Sequence, residues 1–485
     1  MQFLTIRISL LKQLKFLLVA AFLAVPAATT QAQVSSVRIS VLSLSPAKVA
    51  VELEGPGYSD WSFRNTYTSV VGLADRIENF QGQESQGRNV LVRKLAPGQF
   101  RFAEKVMRVS YEVLLTPPTN LGNLSHASWL NKEHGLLMLG DLLPDSAVGE
   151  TPTLNLDFEL PTGWTTASSR DAVGERYTVS HPEQAVFLVG TSLHSKTTRV
   201  GTAEIKIVTV GDWPFGDNTL SKIVAKIVDE YARVLRHPPP AKVGLLLLPF
   251  SGAVGPERWS AETRGQNVVL LMGKQAKSGA VLARLKVVLA HELFHLWIPN
   301  SLKLKGDYDW FFEGFTLYQA LLTGLRLHYI TFDEYLETLS RVYDSYRSSI
   351  ERDKLSLLDA SERRWTAAAS LVYDKGALVA LIYDLMLRRN SAGRETLTDV
   401  YPELLQAGQG SRQDANELLI GLLNKRAPME RFGEKFVEGK TEIDLASILA
   451  PFGLEVATGS SSRIQVSKNV DKEQKRLLKT LGYKS

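Results

Sequence analysis

The chain has 485 residues, of which 44% are hydrophobic, 22% charged and 9% aromatic, with a formal net charge of +5 and no cysteine. That composition is ordinary for a globular protein and excludes a disordered or membrane-spanning chain. The lack of thiols excludes disulfides, lipid attachment to an amino-terminal cysteine and thiolate metal sites, so packing and any bound ion must supply the stability.

The first 32 residues read as an export signal and not as part of the fold. Arg7, Lys12 and Lys15 form a basic region, Phe16 to Val25 is a ten-residue apolar run, and Pro26 to Ala32 supplies small residues around a cleavage point after Ala32. An uncleaved anchor is the rival reading, but a spanning helix needs about 20 apolar residues. Removing those three bases, with no acid before Gln33, lowers the net charge to +2. A near-balanced surface gives no case for nucleic acid or anionic lipid as a partner. The expectation is a periplasmic or secreted protein with no stable membrane anchor after cleavage.

Residues 33–200 carry a period of two. Val109, Tyr111, Val113 and Leu115 alternate before Pro117, and Leu154, Leu156, Phe158 and Leu160 alternate before the turn at Pro161 to Trp164. Ala96-Pro97-Gly98 is another turn signal. These runs predict a β-sandwich-like domain of antiparallel strands. Ala203, Ile205 and Ile207 then suggest a strand, and Ile223, Val224, Ile227, Val228, Tyr231 and Leu235 recur at helical spacing until Pro238-Pro239-Pro240. Val243 to Leu248 and Val268 to Met272 have strand length. From Val281 the pattern is helical, and the basic end of the chain, from Lys468 to Ser485, reads as solvated.

The chemistry concentrates in Val287 to Trp297, where His291-Glu292-Leu-Phe-His295 sits among apolar residues. On a buried helix, positions four apart share a face, so the two imidazoles can ligate one Zn²⁺ while Glu292 reaches the water and not the metal. Chance occurrence in a core helix is the bland alternative. Glu313, the acid within Trp310-Phe-Phe-Glu313-Gly-Phe315, is costly to bury among aromatics unless paired or coordinated. Eighteen positions after His295, it can return opposite the histidines on a second helix, the first helix ending at Pro299. Three ligands leave a fourth position for water, the open arrangement of a catalytic zinc. Glu292 is then the general base and acid, and Tyr373 is a candidate oxyanion donor, although a tyrosine without other support is more often a packing residue.

His291-Glu-Leu-Phe-His-Leu-Trp297, Trp310-Phe-Phe-Glu-Gly-Phe-Thr316 and Tyr373-Asp-Lys-Gly-Ala-Leu378 resemble the glycyl aminopeptidase family of gluzincin zinc metallopeptidases, related to aminopeptidase N. The segments Ser356 to Trp365 and Phe432 to Val456 extend the likeness. The resemblance implies an α+β multidomain chain with a β-sandwich-like domain over 33–200, a thermolysin-like catalytic domain over 201–395, a helical domain over 396–460 and a basic tail over 461–485. It assigns His291, His295 and Glu313 to one Zn²⁺, Glu292 to catalysis and Tyr373 to transition-state stabilisation.

Three departures accompany the resemblance. Relatives usually continue into a PDZ domain, and the 29 residues after Val456 are too few for one. The spacing from the second histidine to the ligand glutamate is one residue shorter than in aminopeptidase N relatives. The glutamate that would receive a substrate's α-amine has its nearest candidate in Glu262, with Glu257 behind it, and Glu262 reads either as that anchor or as a solvated loop acid. The leading function is an aminopeptidase acting on peptides or proteins. An endopeptidase with the same site, or a non-catalytic zinc-containing peptide-binding protein, stands as the alternative.

Overall fold

The computed structural model describes residues 35–148, 153–255, 257–274, 278–410, 413–427, 429–457, 459 and 461–484; the export signal expected over residues 1–32 lies outside them. A sheet-rich amino-terminal region precedes a helical carboxy-terminal part, an α+β architecture as expected. Period-two segments become strands because alternate side chains face opposite sides of a sheet. In Gln99–Leu114, Val109, Tyr111 and Val113 are buried while Ser110 is exposed.

Three sheets stack. The first, of nine strands, has Ser35–Leu44, Ala47–Ser62 and Gln99–Leu114 at its centre. Its inner face shares one core with a four-stranded sheet, through residues such as Val37, Val51 and Tyr111 on one side and Leu137, Phe187 and Val189 on the other. That is the sandwich expected from the sequence, with one difference: Ser35–Leu44 pairs in parallel with Leu154–Glu159. The middle sheet is covered on both faces at its centre. His134–Met138 and Val186–Gly190 are buried throughout, because Leu136, Met138 and Leu188 pack against Leu246, Leu248 and Leu271 of a third, five-stranded sheet.

The third sheet runs Leu193–Val200, Ala203–Val210, Lys242–Pro249, Asn267–Met272 and, at its edge, Trp259–Arg264. Lys242–Pro249 is parallel to both of its neighbours and sits between two layers, so its middle is continuously apolar. The edge strand is antiparallel to Asn267–Met272. Helices cover the far face and share a core with Ile207, Leu245, Leu247 and Leu270. One of them, Asp217–Leu235, closes where Arg236 adopts a left-handed conformation (φ 51°), just before the three prolines. No helix among the described residues is long and apolar enough to cross a membrane.

The basic end corrects the solvated reading. Arg463–Val466 pairs with Leu454–Ala457, and the helix Lys472–Thr480 buries Leu477 and Leu478, with Leu481 just beyond it, in the helical core. Its lysines occupy the outer face of an amphipathic helix, so a basic composition conceals an apolar stripe.

Candidate active site

The helix Ser278–Phe294 carries His291 and Glu292. It ends at Phe294, earlier than the expected Pro299, and His295 sits in the turn that follows. There its backbone N–H donates to the Glu292 carbonyl at 3.2 Å, tightening the last turn and keeping the second imidazole beside the first. His291 Nε2 and His295 Nε2 lie 3.1 Å apart.

Glu313 arrives from the facing element. Trp310–Phe315 is a π-helical turn that runs into the α-helix Thr316–Arg326, and Leu371–Lys375, which holds Tyr373, is a second π-helical turn opening Gly376–Asn390. Such turns widen the helix and redirect a side chain. The two turns touch through glycines: a Cβ on Gly314 would lie 2.5 Å from Gly376 Cα, and one on Gly376 would lie 2.6 Å from the Trp310 carbonyl oxygen. This backbone contact sets Glu313 and Tyr373 against each other and leaves no space for any side chain at either glycine.

Glu313 Oε2 is 3.2 Å from His291 Nε2 and 3.6 Å from His295 Nε2. Its other oxygen, Oε1, accepts from Arg364 Nη2 at 2.6 Å. His295 Nδ1 is 2.8 Å from the Ile298 carbonyl oxygen, so Nδ1 carries a proton and Nε2 is the nitrogen turned toward His291 and Glu313. Two imidazole nitrogens and a carboxylate oxygen therefore converge, 7% exposed or less at His295 and Glu313. Donor separations of 3.1 to 3.6 Å match the ~3.3 Å edge of a tetrahedron whose bonds are about 2.0 Å, as zinc requires. The set is able to hold a metal ion.

The electrostatics favour a cation. Burial alone would raise Glu313 and lower His295, but Arg364 and the histidines hold Glu313 well below the carboxylate range, while Glu313 and Glu292 push His295 up to about 9. Burial raises Glu292, against the pull of both histidines and of Thr263. Thr263 Oγ1, on the edge strand, is 2.8 Å from Glu292 Oε2 and fixes that carboxylate beside the imidazoles. Tyr373 Oη accepts from Arg364 Nη2 at 2.8 Å. Burial keeps the phenol protonated far above neutral pH, so its hydroxyl remains a donor.

A cleft of about 900 Å³ joins His291, Glu292, Glu313 and Tyr373 to the edge strand. Glu262 lines it, its side chain 15% exposed, and is no solvated loop acid. Tyr67 Oη donates to Glu262 Oε1 at 2.5 Å, and His126 Nδ1 is 2.8 Å from Oε2. Burial would raise Glu262, but His126, the nearby Arg264 and Tyr67 together hold it below the usual range. The carboxylate is thus a fixed anion facing the cleft. Glu257 does not line the cleft with it.

Residues 284–379 match the family model of M61 glycyl aminopeptidase, a segment running from the histidine helix to just past Tyr373. Among solved structures, an aminopeptidase N family protein from Idiomarina loihiensis is similar at 19% identity, covering 87% of this chain and 79% of that one with a TM-score of 0.73. One segment of the chain is thus similar to the glycyl aminopeptidase model, and the fold as a whole is similar to that of an aminopeptidase N family protein. An M1 zinc metallopeptidase from Deinococcus radiodurans is similar at 16% identity over 85% of this chain and 95% of that one, with a TM-score of 0.53. A curated relative, the puromycin-sensitive aminopeptidase of Caenorhabditis elegans, is 24% identical over 397 residues. The match takes in 73% of this chain but spans only 37% of that relative's length.

Within the matched segment, Arg364 is the residue that sequence reasoning passed over, although it stands in the Ser356 to Trp365 stretch. It bonds Glu313, Tyr373 and Asp309 at once. Asp374, beside Tyr373, accepts from Ser345 Oγ at 2.6 Å, and burial raises its carboxyl from 3.8 to about 6. A folded state that holds this proton more tightly than the unfolded one loses stability as pH rises from 3.8 to about 6. Asp374→Asn is expected to raise the thermal midpoint at pH 7, with the gain vanishing below pH 4. A gain that persisted at pH 3.5 would show that the carboxyl is not protonated on folding.

Proposed function

We propose that this protein is a zinc-dependent peptidase that removes residues from the free amino end of peptides. The observation that carries the reading is the convergence of His291 Nε2, His295 Nε2 and Glu313 Oε2 within 3.6 Å of one another. The glycyl aminopeptidase match and the aminopeptidase N fold support it. Zinc held by these three residues would polarise a carbonyl and bring water toward a pKa of about 7. Glu292, buried and steadied by Thr263, takes the proton of the attacking water and returns it to the leaving amine. Tyr373 donates its hydroxyl to the oxygen on which negative charge develops. Glu262 pairs with the substrate's α-ammonium, so the residue nearest the metal is the first of the chain.

Two measurements test this. Metal analysis should find one zinc per chain, lost in His291→Ala and His295→Ala. Free-amine peptides should be cut and their acetylated counterparts left intact. Equal cleavage of both would make the enzyme an endopeptidase, and absence of zinc with retained cleavage would remove the metal mechanism. Export belongs to the same proposal: the mature protein should begin at Gln33 in the periplasmic or secreted fraction, and an intact residue 1 there would contradict it.

A further inference from the structure

The far end of the cleft carries a cation that the proposed chemistry does not use. Arg284 lies seven residues before His291, two helical turns on the same face, so it lines the cleft with Val288, His291, Glu292 and His295. Among the described residues, no carboxylate oxygen comes within 4 Å of its guanidinium. The group lies instead 5.8 Å from the ring centre of Trp259, which is 40% exposed at the first residue of the edge strand. The other arginine in the cleft, Arg364, is committed to Asp309, Glu313 and Tyr373. Arg341, near Arg284, is held by Glu337 at 2.7 Å. The acids lining the cleft are Glu262, Glu292 and Glu313, and the carboxylate that acts on Arg284, Glu257, stands outside that lining and comes no closer to it than 4 Å.

The edge strand and the histidine helix run side by side along this floor. Thr263 meets Glu292 at one end, and Trp259 meets Arg284 at the other. Four strand steps of about 3.3 Å give roughly 13 Å. Eight helix steps of about 1.5 Å give roughly 12 Å. The two figures agree, so the floor is about 12 Å long. An extended peptide laid along the unpaired edge, its amine at Glu262, points its carboxyl end toward Trp259 and Arg284 and so runs antiparallel to the strand, as β-addition to a sheet edge allows. About three extended residues fill the distance beyond the bond that is cut.

We infer that Arg284 binds a substrate carboxylate about three residues past the cut bond, which makes short peptides of about four residues with a free carboxyl end the favoured substrate class. This rests on the aminopeptidase reading, in which Glu262 holds the amine. An acidic side chain at the same position offers the same chemistry, and the test separates the two sources.

The test measures binding by calorimetry to zinc-loaded protein in which Glu292→Gln has stopped turnover. The probes are tetra-alanine, its carboxyl-terminal amide, and the amide of Ala-Ala-Ala-Glu. Tetra-alanine is expected to bind about tenfold more tightly than its amide, with Ala-Ala-Ala-Glu amide regaining affinity if a side-chain carboxylate also reaches. Adding Arg284→Gln should reduce the ratio to about one, and Arg284→Lys should restore part of it. Equal binding of acid and amide, a preference that survives Arg284→Gln, or no binding of any probe would overturn the inference. Failure of the peptidase reading is a separate result: wild-type zinc protein would bind tetra-alanine with the acid preference and leave it uncut.

Discussion

Glu292→Gln is expected to leave the zinc content unchanged and to lower turnover by about 10²- to 10⁴-fold, the usual loss when a positioned general base is removed. The glutamine keeps the shape of the side chain, and its carbonyl oxygen can still accept from Thr263 Oγ1, which is 2.8 Å from the carboxylate in the native protein. Glu292 is not one of the three converging donors, so the metal should remain. The variant loses only the ability to take a proton. His291→Ala is expected to do the opposite, losing metal and activity together, because two remaining donors cannot hold a zinc ion tightly. Metal stoichiometry beside kcat separates the two. An active Glu292→Gln protein would favour a binding protein that uses the cleft without catalysis.

The parts of the site legible in the sequence are those fixed by local geometry or by a chemical oddity. His291, Glu292 and His295 are set by one helical turn, and their relation survives even though the regular helix stops at Phe294. Glu313 is conspicuous because it is an acid among aromatic residues, of which Trp310, Phe311 and Phe315 are buried. Arg364 has no such mark. It stands beside Arg363, and only the fold decides which of the two reaches Glu313 Oε1 across 51 residues of chain. Tyr67 and His126 are more remote still, meeting Glu262 across 195 and 136 residues, and no periodicity encodes such a meeting.

The same distinction applies to the fold. Period two finds strands but is blind to direction, so the parallel pairing of Ser35–Leu44 with Leu154–Glu159 could not be read from alternation. Lysines at the carboxyl end dominate the composition of Lys472–Thr480, while three leucines decide where it packs. The contact between Gly314 and Gly376 was hidden for a different reason. A glycine inside a helix carries no mark of what it faces, and only the juxtaposition of these two makes both necessary.

Arg364→Met and Tyr373→Phe form the second large pair, because one guanidinium nitrogen serves both the ligand and the phenol. Tyr373→Phe is expected to fold, to bind zinc normally and to slow the chemical step by about 10²- to 10³-fold, as loss of one oxyanion donor does. Arg364→Met should also weaken metal binding by about 10- to 100-fold, since the partner that orients Glu313 is gone. It further leaves Asp309 without its cation, and burial already raises that carboxyl. Because both changes act on the same hydroxyl, the double variant should be little slower than Arg364→Met alone once zinc is saturating. Full additivity would show that Arg364 acts apart from Tyr373, and a fully active Tyr373→Phe enzyme would show that the phenol packs against the site without serving it.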